Sequence, residues 1–154
     1  MRVEIYDTLL EAYRRGDRLP ELAADLARRG RGFEVQELLG RIHDELGNED
    51  EALAAYRRAL AASPRHIDTR VRVIQLLSRS GRIEDVIREY EGLIRTAPRE
   101  PRFVVELAQL LMQVGRREEA LRRAAQTGRR YPREPAVHQA LAELFTRWGE
   151  DDLA

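Results

Sequence analysis

Residues 40–64 read GRIHDELGNEDEALAAYRRALAASP, and this stretch decides the fold. The glycine that ends its first half, Gly47, recurs every 34 residues at Gly81, Gly115 and Gly149. The proline that closes it, Pro64, recurs with the same interval at Pro98 and Pro132. When the repeats are aligned, the glycines form one column and the prolines another. Two independent columns that share a period of this size predict a solenoid of stacked helical units.

The period divides the chain into three complete repeats between two atypical ends. The repeats are expected at 33–66, 67–100 and 101–134, followed by a partial repeat at 135–154. Residues 1–32 lack a proline in register and are predicted to form a degenerate helix pair that caps the array. The partial repeat stops where a second helix should begin, so we expect the chain to be a segment of a longer array.

Each recurring residue has a helical role. Glycine at the end of a first helix adopts a left-handed backbone without a side-chain clash, and proline after the second helix cannot continue it. Small residues at Gly40, Ala108 and Ala142 are expected where paired helices approach closely. Between these positions, apolar residues at helical spacing predict helices at about 3–15, 18–29, 33–46, 49–62, 67–80, 83–96, 101–114, 117–130 and 135–148. No strand pattern competes with them.

Composition excludes several function classes. Basic and acidic residues number 27 each, so no net charge favours phosphate backbones. The sequence has no lysine, which excludes a Schiff base or a phosphate-loop lysine, and no cysteine, which excludes thiol catalysis and thiolate metal sites. No apolar run approaches the roughly 20 residues of a membrane span. We expect a soluble, cytoplasmic protein that does not bind membranes.

The three histidines offer no catalytic or metal site. His43 and His138 are interpreted as half-buried packing residues, and His66 as a solvated residue at a repeat junction. They are 23 and 72 residues apart, and none has the His-x-x-x-His spacing that holds a zinc ion on a helix. The sequence therefore predicts no catalytic residue, no metal and no cofactor.

The columns formed by Gly40, Gly47, Ala52, Tyr56, Ala59 and Pro64 closely resemble the tetratricopeptide repeat. The resemblance implies an all-α fold, a right-handed α-solenoid of antiparallel helix pairs (the tetratricopeptide-repeat superhelix). It also implies a non-enzymatic scaffold that binds a protein or peptide on a concave face formed by the first helix of each repeat.

The resemblance also places candidate binding residues on that face. They are Arg41, Arg72, Gln75, Arg79, Arg102, Gln109 and Gln113. Their arginines favour an acidic peptide. The family's clamp for a chaperone's terminal carboxylate is not expected, because Glu37 and Glu106 occupy two of its five matching positions.

Two other functions remain open. The chain could be purely architectural, stacking against further repeats or its own copies without a separate ligand. RNA binding is less favoured, because zero net charge and a 34-residue period differ from the basic groove and 35-residue period of RNA-binding repeats. We therefore expect no nucleic-acid partner. Arginine-only, alanine-rich usage suggests a bacterial protein from a GC-rich genome.

The last helix predicts a self-association edge. His138, Ala142 and Phe145 fall at positions that meet a second helix in the family, and here no complete second helix follows. Apolar surface left open in this way would favour a homodimer through residues 138–149, with Phe145 near its centre.

Overall fold

The computed structural model describes the backbone of residues 2–149 and the side chains of residues 5–149. Within that range the chain is helical, without a strand. The helices are α1 (Arg2–Arg15), α2 (Leu19–Arg29), α3 (Phe33–Glu45), α4 (Glu49–Ala62), α5 (Ile67–Arg79), α6 (Ile83–Thr96), α7 (Arg102–Gln113), α8 (Arg117–Arg130) and α9 (Pro135–Trp148). Every observed end lies within one residue of its predicted position.

The recurring glycines end the first helix of each repeat by one hydrogen-bond pattern. Gly47, Gly81 and Gly115 have φ angles of 75°, 67° and 77°, which confirms the predicted left-handed backbone. At Gly47, the N–H of Asn48 donates to the carbonyl of His43 at 2.9 Å, and the N–H of Gly47 donates to Asp44 at 3.1 Å. These paired bonds satisfy carbonyls that the helix leaves without partners.

The N-terminal helix ends in the same way but with a different residue in the strained position. Asp17, not Gly16, has the positive φ, 53°, and the N–H of Arg18 donates to the carbonyl of Tyr13 at 2.9 Å. A non-glycine residue in this conformation carries a steric cost. This departure fits the degenerate character predicted for residues 1–32.

Substitution at Gly81 tests the conformational role of the glycines. A Cβ added there meets nothing within 4 Å, so the left-handed backbone is the sole source of strain. Gly81→Ala is expected to lower the free energy of unfolding by about 1–2 kcal/mol, measured by urea denaturation. Gly16→Ala is the control, because Gly16 has no positive φ and its added Cβ makes ordinary contacts. An equal loss in both variants would contradict the assignment.

The chain divides into two compact units, Met1–Ile83 and Glu84–Ala154. In the first, helices α1 to α4 enclose a core, and in the second, α7, α8 and α9 enclose another. The first core comprises Leu10, Leu22, Ala23, Leu26, Leu38, Leu39, Ile42 and Ala55. The second comprises Val104, Ala124, Val137, Leu141 and Phe145.

Two histidines differ from their predicted environments. His66 is half-buried: its Nδ1 accepts from the N–H of Thr69 at 3.3 Å, and its ring lies 4.5 Å from the ring of Phe33. The prediction that it is solvated is wrong, because it caps the N-terminus of α5. His138 is exposed, not half-buried. His43 is half-buried as predicted.

Candidate protein-interaction surface

Ion pairs connect the first helices of successive repeats in the first unit. Arg41 Nη1 on α3 lies 2.7 Å from Asp7 Oδ1 on α1, and Arg72 Nε on α5 lies 3.4 Å from Glu37 Oε1 on α3. Arg79 on α5 pairs with Asp44 on α3. We call these six residues the charge ladder: Asp7, Glu37, Arg41, Asp44, Arg72 and Arg79. The structure therefore brings three predicted site residues together, each beside a carboxylate.

The ladder arginines differ in their access to solvent. The side chain of Arg41 is 21% exposed, whereas those of Arg72 and Arg79 are 43% and 53% exposed. Gln75 is exposed between the latter two on α5. Positions 72, 75 and 79 share one helical face, since side chains three, four or seven residues apart point the same way. The outward face of α5 thus carries two cations and an amide.

Glu37 is the least hydrated carboxylate of the ladder. Burial raises its pKa above the ordinary glutamate range, although Arg41 and Arg72 act in the opposite direction. Its Oε2 lies 4.0 Å from Arg41 Nη1. The loss of hydration therefore outweighs the attraction of two guanidinium groups.

A tyrosine lies beneath the ladder without a hydrogen-bond partner. Tyr56 on α4 is fully buried, and no partner for its hydroxyl is present among the described residues. Burial raises the pKa of Tyr56, while the charges of Arg72, Asp44, Glu37 and Arg41 have smaller effects. The tyrosine at the same position one repeat later, Tyr90, hydrogen-bonds with Glu106, and burial together with this carboxylate raises the pKa of Tyr90 to about 12.

The remaining predicted binding residues lie on α7 in the second unit. Arg102 is 56% exposed; its Nε is 3.6 Å from Glu100 Oε2, and its guanidinium carbon is 4.5 Å from the ring centre of Phe103. Gln109 is half-buried and Gln113 is exposed. These three positions share one face of α7 by helical spacing. Their role in binding stays a prediction.

The predicted self-association edge needs a correction at Phe145. Phe145 is only 2% exposed and belongs to the core of the second unit, with its ring 6.4 Å from that of Trp148. Its placement on an open side is wrong, because it packs with apolar residues of α7 and α8. His138 is exposed and Ala142 is half-buried. A homodimer through these two residues stays a prediction, which light scattering over a concentration series would check.

Sequence reasoning named the ladder arginines but missed their pairing. The signal was available in the repeat register: Asp7 and Arg41 are 34 residues apart, and Asp44 and Arg79 are 35 apart. Opposite charges one repeat apart on first helices can meet across adjacent repeats. Arg14 and Glu45 also pair between first helices, with Arg14 Nε donating to Glu45 Oε2 at 3.0 Å, but their separation of 31 residues departs from the register.

No helix in the part of the chain that the structure describes is long and apolar enough to cross a membrane. No group of three or more histidine and acidic side chains there could hold a metal ion.

Comparison with known proteins identifies the family. A family model described as tetratricopeptide repeat matches residues 6–154. A search of curated proteins found no match. A crystal structure of MamA is 18% identical, with a TM-score of 0.62 over 99% of this chain and 78% of that one. MamA residues 41 to the end from Desulfovibrio magneticus RS-1 are 18% identical, with a TM-score of 0.59 over 97% and 86%.

YrrB, described as a tetratricopeptide-repeat protein with an unusual peptide-binding site, is 14% identical, with a TM-score of 0.58 over 88% of this chain and 72% of that one. At such identities the likenesses show the fold, and they confirm the predicted all-α tetratricopeptide-repeat solenoid class. The chain belongs to the tetratricopeptide repeat family.

Proposed function

We propose that this chain is a non-enzymatic scaffold whose first-helix faces bind an acidic segment of a partner protein. The observation that carries the proposal is the state of Arg72 and Arg79, which are held by carboxylates yet remain about half exposed. An arginine fixed in this way offers its remaining N–H groups in a defined direction. Peptide binding is also supported by the likeness to YrrB, whose structure is described as having a peptide-binding site.

The existing ion pairs leave donors for a ligand. The ion pair of Glu37 with Arg72 is made to Nε, and that of Asp44 with Arg79 is made to Nη2. Each guanidinium carries five N–H donors, more than one carboxylate can take up. Exposed pairs contribute about 0.2–1 kcal/mol each, so a ligand carboxylate can compete for the cation at small cost. Gln75 lies between them and can bond a peptide group of the ligand.

Charge reversal on α5 tests the proposal. A fluorescein-labelled, glutamate-rich peptide is expected to bind with an affinity that falls as salt rises, measured by fluorescence polarisation. Arg72→Glu with Arg79→Glu should abolish binding and leave the helical circular dichroism unchanged. Arg57→Glu with Arg58→Glu is the matched control, because it makes the same charge change at exposed residues of α4. Equal loss in both double variants, or no binding by the unaltered protein, would overturn the proposal.

Glu37→Gln supplies a variant with the opposite expected effect. It removes the carboxylate nearest Arg72 Nε, so affinity for the acidic peptide should rise. It should also not destabilise the protein at pH 7. A raised pKa in the folded state means that ionised Glu37 opposes folding. The unaltered protein should therefore become more stable as the pH falls and Glu37 is protonated, and the neutral amide of Glu37→Gln should give a similar gain at pH 7. Weaker peptide binding by Glu37→Gln would contradict the proposed role of Arg72.

The purely architectural alternative predicts a different result in the same assay. A chain without a separate ligand would give no salt-sensitive binding to any acidic peptide, and a pull-down would return only its own parent protein. RNA binding would be indicated by a salt-dependent mobility shift of single-stranded RNA.

A further inference from the structure

A cleft in the second unit carries unpaired positive charge. It lies between α6 and α8, has a volume of about 220 Å³, and is bounded by Ile94 and Leu107 on its apolar side. Its polar lining includes three arginines and one carboxylate: Arg95, Arg123, Arg130 and Glu91. The cleft shares no residue with the charge ladder.

Several of its polar groups are already used within the protein. Arg123 pairs with Glu91 on α6, and its Nε donates to Glu119 Oε1 at 2.8 Å. The hydroxyl of Tyr131 donates to the carbonyl of Ile94 at 3.1 Å, and that of Thr127 donates to the carbonyl of Arg123 at 2.9 Å. The Arg123–Glu91 pair connects α8 to α6 and neutralises the carboxylate of the cleft, and the Tyr131 bond ties the residue after α8 to α6.

The side chains of Arg95 and Arg130 have no such partner. Neither guanidinium forms a hydrogen bond or an ion pair with any residue whose side chain the structure describes, and both residues are exposed at the rim of the cleft. Gln126 in the lining is equally without a partner in that part of the chain. Two guanidinium groups that cannot lose their protons therefore give the cleft two uncompensated positive charges next to a neutral amide.

We propose that this cleft binds a phosphate monoester. A monoester carries close to two negative charges at pH 7 and three acceptor oxygens, which match two guanidinium groups and an amide donor. A carboxylate or an internal phosphodiester carries one charge and leaves one guanidinium unneutralised. The small volume admits a single phosphoryl group with a short substituent, which can lie against Ile94 and Leu107.

Small anions that differ in charge test the ligand class. Binding of methyl phosphate, dimethyl phosphate and acetate is followed by chemical shifts of α6 and α8 in NMR titrations at constant ionic strength. At pH 7.5, methyl phosphate should bind at least about tenfold more tightly than the two monoanions. Its affinity should fall at pH 5, because the second phosphate proton binds with a pKa near 6 while the arginines stay charged. Equal affinities for the three anions would overturn the proposal.

Matched variants test the location. Arg95→Gln with Arg130→Gln should remove the preference for methyl phosphate. Arg122→Gln with Arg129→Gln makes the same charge change at exposed residues that do not line the cleft, and it should keep the preference. The opposite pattern, or a preference that survives in both, would place the binding elsewhere. An unphosphorylated RNA oligonucleotide that binds more tightly than methyl phosphate, and equally to both variants, would also overturn the assignment.

Discussion

Phe145→Ala is expected to lower the free energy of unfolding of the second unit by about 3–5 kcal/mol, the range for truncating a buried aromatic side chain. Phe145 is 2% exposed and packs in a core with Val104, Leu141 and Ala124. Alanine would remove the ring and leave a cavity lined by these residues. The rings of Phe145 and Trp148 meet in an edge-to-face arrangement, and this contact would be lost as well.

The measurement can be local, because Trp148 is the one tryptophan of the chain. Its fluorescence during urea denaturation reports on the core that contains Phe145. Phe145→Leu is the control, because it retains most of the apolar volume. Its loss of unfolding free energy should be clearly smaller than that of the alanine variant. A loss below 1 kcal/mol for Phe145→Ala would contradict the burial of this ring and restore the prediction of an open edge.

Periodic features of this fold were predictable from the sequence. A helix must end where Gly47, Gly81 and Gly115 adopt a left-handed backbone, and three copies of one signal remove the ambiguity that a single glycine would leave. The proline column fixes the ends of the second helices in the same way. Local backbone chemistry repeated at a constant interval therefore determined the helix boundaries to within one residue.

Tertiary packing set the features that were missed. Phe145 was assigned to an open side from its repeat position, whereas its ring packs in a core with Val104 and Ala124. His66 was assigned to solvent because it lies at a repeat junction, whereas its ring packs on Phe33 and its Nδ1 caps α5. The repeat register does indicate both positions, since Leu77 and Leu111 in the column of Phe145 are buried, and Gly32 and Glu134 in the column of His66 are N-caps. The particular contacts that each side chain makes there are not periodic.

The candidate interaction surface was likewise predictable only in its periodic features. The positions of Arg41, Arg72 and Arg79 on first helices were predictable from the register. Their electrostatic state was not, since it depends on which carboxylate each long side chain reaches. Pairing makes the surface alternate in charge instead of presenting bare cations, and it turns Glu37 into the residue expected to oppose an acidic ligand.

Gly40→Ala is the second substitution with a large expected effect. A Cβ at Gly40 would lie 2.4 Å from Cδ1, 2.5 Å from Cε1 and 2.8 Å from Cγ of Tyr56. Real Cβ atoms do not approach other atoms this closely, and the Tyr56 ring is fully buried between helices that cannot easily yield. We expect a loss of about 1–3 kcal/mol, the range for overpacking a core, although alanine normally favours a helix over glycine.

A double-mutant cycle separates this clash from other effects of alanine. In a Tyr56→Leu background the ring edge is gone, so Gly40→Ala should destabilise less, with a coupling energy of about 0.5–3 kcal/mol. In a Tyr56→Phe background the ring remains, and Gly40→Ala should keep its full cost. Tyr56→Phe by itself should be close to neutral, because no partner for the hydroxyl is present among the described residues. Additive effects of Gly40→Ala and Tyr56→Leu would show that the close approach of α3 and α4 does not depend on this glycine.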